Sequence, residues 1–370
     1  MPVKLVTIND LDDSQIGVVK MQPFDGSVFV SGPPGSGKTS VAILRTRMLL
    51  DNGVSNVLFL LYNHSLYGYL KKIFSKMNIR QNVNIETKDI FFWNLYGSLG
   101  YRFPKGFNYE DKYYQILNSL NEINESDLPK YTLLILDESQ DFSRMELQLL
   151  RKMSNRMVVL ADFDQQVYGK TVDASCFSDL PHRELNTIYR FGKEIARIAQ
   201  PFSSSGINLE RKVTKRGNTP AYKVVTTTLK ELDVMCQIIK NKTVADGTMA
   251  ILAPKRDQLQ DLSRKLSAKR IDHFFAEYNN RNLRDYDYDS KRPLLITALS
   301  AKGMEFDTVV LYQFNEYDVF GDINKMIYLS LTRTCGELYV IQTEKTCHSL
   351  KNLPGLKIMD EHNESDINDF

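Results

Sequence analysis

The stretch SGPPGSGKTS, residues 31–40, follows directly on the apolar run SVFV. Its spacing is Gly32-x-x-x-x-Gly37-Lys38-Thr39. Glycines let the backbone curl so that successive N–H groups converge on one centre. Lys38 adds a point charge, and the Thr39 hydroxyl can hold Mg²⁺. A nucleoside triphosphate is the ligand that suits them. In LLILDESQD, residues 133–141, four apolar residues read as a buried strand with Asp137 and Glu138 at its end. An acid there holds the metal, directly or through water. A second acid beside it can orient or deprotonate the attacking water. VVLADFDQQVYG, residues 158–169, repeats the design: its apolar strand ends in Asp162 and Gln165. A neutral amide at that point suits the terminal phosphate or the water. Alone, the acidic pair also fits a solvated strand end, and the glutamine fits a turn. A P-loop upstream, with a strand before it and a helix after it, favours the catalytic reading.

Those residues need strands to carry them. Short apolar runs rich in β-formers alternate with helical patterns, which predicts α/β with parallel sheets. In the first half the strands are expected at Val28–Val30, Val57–Leu61, Leu133–Leu136 and Val158–Ala161. In the second half they are expected at Met249–Leu252, Leu294–Thr297, Thr308–Tyr312 and Leu338–Ile341. Val41, Leu44 and Met48 recur at helical spacing after the P-loop. The organisation expected is one domain over 1–185, a second over 186–356, and an acidic, disordered tail over 357–370. Segments 101–114 and 277–293 read as loops, the latter polar and poor in aliphatic residues.

The 370 residues are 42% hydrophobic and 25% charged, an ordinary globular composition. No apolar run is long enough to cross a bilayer, and the N-terminus lacks the features of a secretory signal. Cys176, Cys236, Cys335 and Cys347 are scattered and read as reduced thiols of a cytoplasmic protein. The net charge of +2 means that a nucleic-acid partner would need its basic contacts concentrated in a groove. In residues 66–80, Tyr67, Leu70 and Phe74 share a helical face, with Lys71, Lys72 and Lys76 elsewhere on it. That pattern fits a solvated basic face or the rim of such a groove.

Taken in order, these segments resemble a superfamily 1 helicase of the UvrD/Rep/PcrA type over most of the chain. LDDSQIGVV, with Gln15, resembles the upstream motif that reads adenine. GPPGSGKTS (Gly32, Pro33, Pro34, Gly35, Ser36, Gly37, Lys38, Thr39, Ser40) resembles Walker A. LFLLYNHSL with Asn63 and IETKDIFFW with Thr87 resemble segments that contact single-stranded DNA. LDESQD resembles Walker B, and ADFDQQVYG resembles motif III with Gln165. LNTIYRFGKEI resembles motif IV, with Tyr189 against the base and Arg190 towards the γ-phosphate. ITALSAKGMEFDTVVL resembles motif V, with Thr297 towards nucleic acid and Gly303 and Glu305 near the nucleotide. MIYLSLTRTCGEL resembles motif VI with Arg333.

The resemblance implies two RecA-like P-loop domains with parallel sheets and an ATP site in the cleft between them. It implies ATP and Mg²⁺ as cofactors, Thr39 and Asp137 on the metal, and single-stranded DNA, rather than RNA, as partner. Lys38, Glu138, Gln165, Arg190 and Arg333 would form the catalytic set, since permanent planar charges suit phosphate oxygens. The sequence departs from the family at Lys170, where a base-stacking aromatic is usual, at Leu299, where a histidine is usual, and at Ser40, where an arginine is common. Tyr168 or Trp93 could take over the stacking. The 93 residues between Thr39 and Leu133, and the 106 between Arg190 and Thr297, leave no room for the family's inserted accessory domains. A stripped motor that needs a partner to unwind duplex efficiently is the expectation. The competing reading is a nucleic-acid-sensing regulatory ATPase, partnered with a nuclease as in compact antiviral systems such as Gabija.

Overall fold

In the computed structural model, residues 6–343 and 357–358 are described, apart from 24–25, 80–81, 107, 167–171, 205, 215–216, 218–219, 226–227, 244–246, 278–281, 285, 289 and 320–321. The chain divides into two units. One comprises Leu5–Pro33 and Gly37–Asn186; the other comprises Thr187–Phe370 with Pro34–Ser36 and Met1–Lys4.

The N-terminal unit holds a six-stranded sheet. Its strands are β1 (Val28–Ser31), β2 (Val57–Leu61), β3 (Val83–Thr87), β4 (Leu133–Leu136), β5 (Met157–Ala161) and β6 (His182–Glu184). They run parallel in the order β3-β2-β4-β5-β1-β6. The helices are α1 (Asp13–Val19), α2 (Lys38–Asp51), α3 (His64–Lys76), α4 (Lys88–Ser98), α5 (Tyr109–Asn121) and α6 (Arg144–Met153). Every residue of β2, β4 and β5 is buried. A parallel sheet covered on both faces needs uninterrupted apolar strands of this kind. Phe92, Leu117, Leu134, Leu150 and Phe177 belong to the core on one side.

The C-terminal unit repeats the architecture. Its strands are β7 (Ala221–Val225), β8 (Met249–Ala253), β9 (Phe274–Phe275), β10 (Leu294–Thr297), β11 (Phe306–Leu311), β12 (Thr334–Thr343) and β13 (Lys357–Ile358). All are parallel, in the order β13-β7-β12-β11-β8-β10-β9. The helices are α7 (Lys193–Ala199), α8 (Leu209–Lys212), α9 (Thr228–Thr243), α10 (Arg256–Ala268) and α11 (Ile323–Leu331). Met235, Ile251, Leu262, Leu295 and Val310 lie in its core.

Two sequence expectations need correction. Lys357 and Ile358, expected to open the tail, pair with β7; the rest of that segment lies outside the described residues. The loop expected over 101–114 ends at Asn108, whose side chain accepts from the Asp111 N–H and caps α5. Over 277–293 the described residues form no α-helix or strand, as expected of a loop, although Leu283, Tyr286 and Tyr288 are buried. Among the described residues, no helix is long and apolar enough to cross a membrane.

Candidate nucleotide-hydrolysis site

In the N-terminal unit, β4, β5 and β1 are neighbours in the sheet, so their C-terminal ends deliver three segments to one place. Ligands of parallel α/β sheets bind at that edge. The turn after β1 leads into α2 through Gly37, at φ +86°. A Cβ there would lie 2.4 Å from the Gln15 side-chain nitrogen, so both the dihedral and the close approach require glycine. Gln15 is buried, and its Oε1 accepts from the Asp12 N–H in the capping box of α1. The expected adenine reader therefore lies against the phosphate loop.

Lys38 donates to the carbonyls of Gly32 (2.6 Å) and Pro33 (3.0 Å) and lies 3.7 Å from the Asp162 carboxylate. Thr39 Oγ1 donates to Asp137 Oδ2 at 2.9 Å, across 98 residues of chain. Asp137 is 2% exposed. Burial and the neighbouring Glu138 charge push its carboxyl up to about 7, against the pull of the Thr39 hydroxyl, the Glu138 N–H and Lys38. Burial likewise raises the Asp162 carboxyl, against the pull of Lys38. The oxygens gathered here are hard donors suited to Mg²⁺, and a divalent cation would reverse the crowding that holds Asp137 high. Among the described residues no group of three or more His, Cys, Asp or Glu could hold a metal on its own.

Glu138 stands in the left-handed region, φ 52° and ψ 42°. This conformation is uncommon for a residue with a side chain, and such strain collects at functional sites. Its carboxylate accepts from Gln140 Nε2 at 2.5 Å, and Gln140 Oε1 accepts from the Asp162 N–H at 3.0 Å. Gln165 Nε2 donates to Asp162 Oδ2 at 2.6 Å. Asp162 thus joins Gln165 to Lys38. Sequence reasoning placed Asp162 at a strand end but assigned it no role, and it passed over Gln140. Asp162 had a positional signal, since it follows β5 directly; Gln140, beyond Asp137 and Glu138, had none.

The C-terminal unit gathers the remaining candidates. Arg190 Nε donates to Glu305 Oε2 at 2.9 Å, and its Nη1 donates to the Thr332 carbonyl at 3.2 Å. Arg333 is 1% exposed. Its guanidinium donates to the carbonyls of Leu329 (2.9 Å) and Met304 (3.3 Å) and to Thr332 Oγ1 (3.2 Å). Gly303 turns the chain at φ +82° just before Glu305. Tyr189 is 38% exposed, and its N–H donates to the Gly35 carbonyl at 2.9 Å within the same unit. Pro33, Pro34 and Ser36 are buried, and Ser40 sits in the first turn of α2.

The expected nucleic-acid contacts fare differently. Asn63 caps α3, accepting from the Ser65 N–H at 3.3 Å. Thr87 precedes α4 and is 1% exposed, so its hydroxyl is not presented at a surface. Thr297 closes β10, and its hydroxyl donates to Ser300 Oγ at 2.8 Å. Tyr168 and Lys170 lie outside the described residues.

No curated protein matches the sequence. Among solved structures, the C-terminal domain of a possible DNA helicase from Lactobacillus plantarum WCFS1 is 17% identical with a TM-score of 0.38, covering 46% of this chain and 99% of that one. The PRRSV helicase is 17% identical with a TM-score of 0.43; the match covers 92% of this chain and spans 57% of that one. The arterivirus nonstructural protein 10 helicase, solved with DNA, is 14% identical with a TM-score of 0.43, covering 95% of this chain and 66% of that one. By sequence, residues 15–171 match the family described as an AAA domain.

Proposed function

We propose that the chain is an ATP-dependent motor of the superfamily 1, UvrD-like kind, which hydrolyses ATP under stimulation by single-stranded DNA. The observation that carries this reading is the convergence of three adjacent strand ends on one phosphate-loop helix. They bring Lys38, Thr39, Asp137, Glu138, Asp162 and Gln165 into one hydrogen-bonded cluster. The match to an AAA domain over the same residues supports it.

In this reading the loop amides and Lys38 bind the phosphates, and Thr39 and Asp137 hold Mg²⁺. The ion supplies charge neutralisation at the phosphate oxygens. Glu138, aimed by its strained backbone and by Gln140, accepts the proton of the attacking water. Gln165 orients that water, and Asp162 holds Gln165. Arg190 and Arg333 stabilise the charge of the transition state, the main requirement of phosphoryl transfer. Tyr189 stacks on the base, and Gln15 reads it.

The test is steady-state ATP hydrolysis with no nucleic acid, single-stranded DNA, duplex or RNA, followed by strand displacement. Single-stranded DNA should stimulate most, with little displacement by the chain alone. Lys38→Ala should abolish hydrolysis throughout. A rate indifferent to every nucleic acid would remove the motor reading and leave a nucleotide hydrolase.

A further inference from the structure

Exposed large apolar side chains among the described residues are confined to two places. One is Tyr189, assigned above to the nucleobase. The others are Tyr101 (43% exposed), Phe103 (39%), Tyr109 (56%) and Tyr114 (58%), all within one short stretch of the N-terminal unit. Their rings are ordered. Phe103 stacks on Trp93 of α4 at 4.7 Å between centroids and 10° between planes. Trp93 and Tyr109 follow at 6.3 Å and 9°, and Tyr109 and Tyr113 at 6.1 Å and 9°. Beside them Tyr101 stacks on Tyr96 at 4.9 Å. Hydrogen bonds hold the planes: Tyr109 donates to Asp89 Oδ2 at 3.1 Å, and Tyr113 donates to Glu146 Oε1 at 2.6 Å. Tyr96 donates to the Arg102 carbonyl at 3.3 Å and ties the loop to α4.

From this row of near-parallel rings we infer that the face binds single-stranded nucleic acid by base stacking. It rests on the reading of the chain as a nucleic-acid motor and names where that motor grips bases, since Lys170 supplies no ring. The segment 101–114, YRFPKGFNYEDKYY, contains no leucine, isoleucine, valine or methionine, so its apolar surface comes from aromatic rings. Arg102 and Lys105 are exposed between and beside those rings and can contact phosphates. Rings interleaved with cations fit a strand whose every base has a flat face and whose every link carries a charge.

Trp93 is the chain's only tryptophan, so its emission reports on the platform itself. The full chain is titrated with a thymidine oligonucleotide and with an abasic oligonucleotide of equal length and charge. The thymidine strand should bind more tightly and quench Trp93; the abasic strand should leave the emission unchanged. Two double variants, Phe103→Ala with Tyr109→Ala and Phe103→Leu with Tyr109→Leu, are compared after circular dichroism shows both folded. Each should weaken thymidine binding about 5- to 150-fold for every stacked base lost. Wild-type affinity in both variants, with hydrolysis still stimulated by single strands, would overturn the platform and leave the motor reading standing. Recovery in the leucine variant alone would also overturn it, because apolar area and not stacking would then be at work, as at a protein-docking face. Failure of any nucleic acid to bind the wild type would overturn both readings.

Discussion

The two units use opposite edges of the same kind of sheet. In the N-terminal unit the candidate residues sit at the C-terminal ends of β1, β4 and β5, where α2 begins at Lys38. In the C-terminal unit Glu305 and Arg333 immediately precede β11 and β12, at the N-terminal edge, just beyond the end of α11. Residues 298–305 carry the chain from the far end of β10 to that edge. Helix ends explain the choice. The start of a helix offers unpaired N–H groups and a partial positive charge, which suits phosphate. The end of a helix offers unpaired carbonyls and a partial negative charge, which suits cations. Arg333 and Arg190 take theirs from Leu329 and Thr332, at the end of α11. One edge thus gathers a phosphate-type loop and its carboxylates, and the other holds two arginines on backbone carbonyls.

The largest effect should come from the anion edge. Glu138→Gln should lower kcat about 10²- to 10⁴-fold, the usual worth of a general base, while nucleotide affinity in an equilibrium titration stays near wild type. Equal loss of binding would make Glu138 a ligand and not a base. At the cation edge, Arg333→Ala leaves buried carbonyls without a donor, and urea unfolding should show a loss of about 1–3 kcal/mol. An unchanged midpoint would show that α11 does not need the arginine. Gly37→Ala forces a left-handed alanine against Gln15 and should cost about 1–2 kcal/mol.

The smallest effect separates function from burial. Glu231, on α9, reaches the same range as Asp137: its carboxyl rises to about 7, chiefly through burial, with Lys265 opposing and Glu316 adding to the shift. Among the described residues, both of its oxygens lack a hydrogen-bond partner. The folded state binds this proton more tightly than the unfolded chain. Its stabilising contribution is therefore complete below about pH 4.5 and lost as pH rises through about 7. Glu231→Gln should melt above wild type at pH 8 and converge with it near pH 4.5, without changing hydrolysis. A fall in hydrolysis would give Glu231 a role that its position does not suggest.

Much of this was legible in the sequence, and the exceptions have physical reasons. The strands that carry the site are apolar runs because both faces are covered, and each expected run is a strand. The strands that went unseen lie at or near sheet edges: β3 (VNIET), β6 (HRE) and β7 (AYKVV) lack a continuous apolar signal, and every residue of β6 is exposed. On α2 the buried stripe runs through Ala42, Arg45, Thr46 and Leu49, while Leu44 and Met48 are only half-buried. The spacing of Val41, Leu44 and Met48 marks the helix correctly, but the buried face also includes an arginine, which apolar spacing cannot show. Arg45 donates to the carbonyls of Val18, Val19, Met21, Pro23 and Gly26, which fastens the chain between α1 and β1 to the phosphate-loop helix. Motifs located Glu138 and Gln165; they did not show that Gln140 and Asp162 hold them, because that depends on which strands are neighbours.

The most direct test of the account is the turnover of Arg190→Ala. Its side chain is 13% exposed and paired with Glu305, so circular dichroism must first show the variant folded. ATP affinity and kcat are measured on the same preparation with saturating single-stranded DNA. The account predicts binding close to wild type and kcat lowered about 10³-fold or more, as for an arginine acting on the transition state. Wild-type turnover would contradict it, and would leave the N-terminal unit hydrolysing ATP without its partner charges.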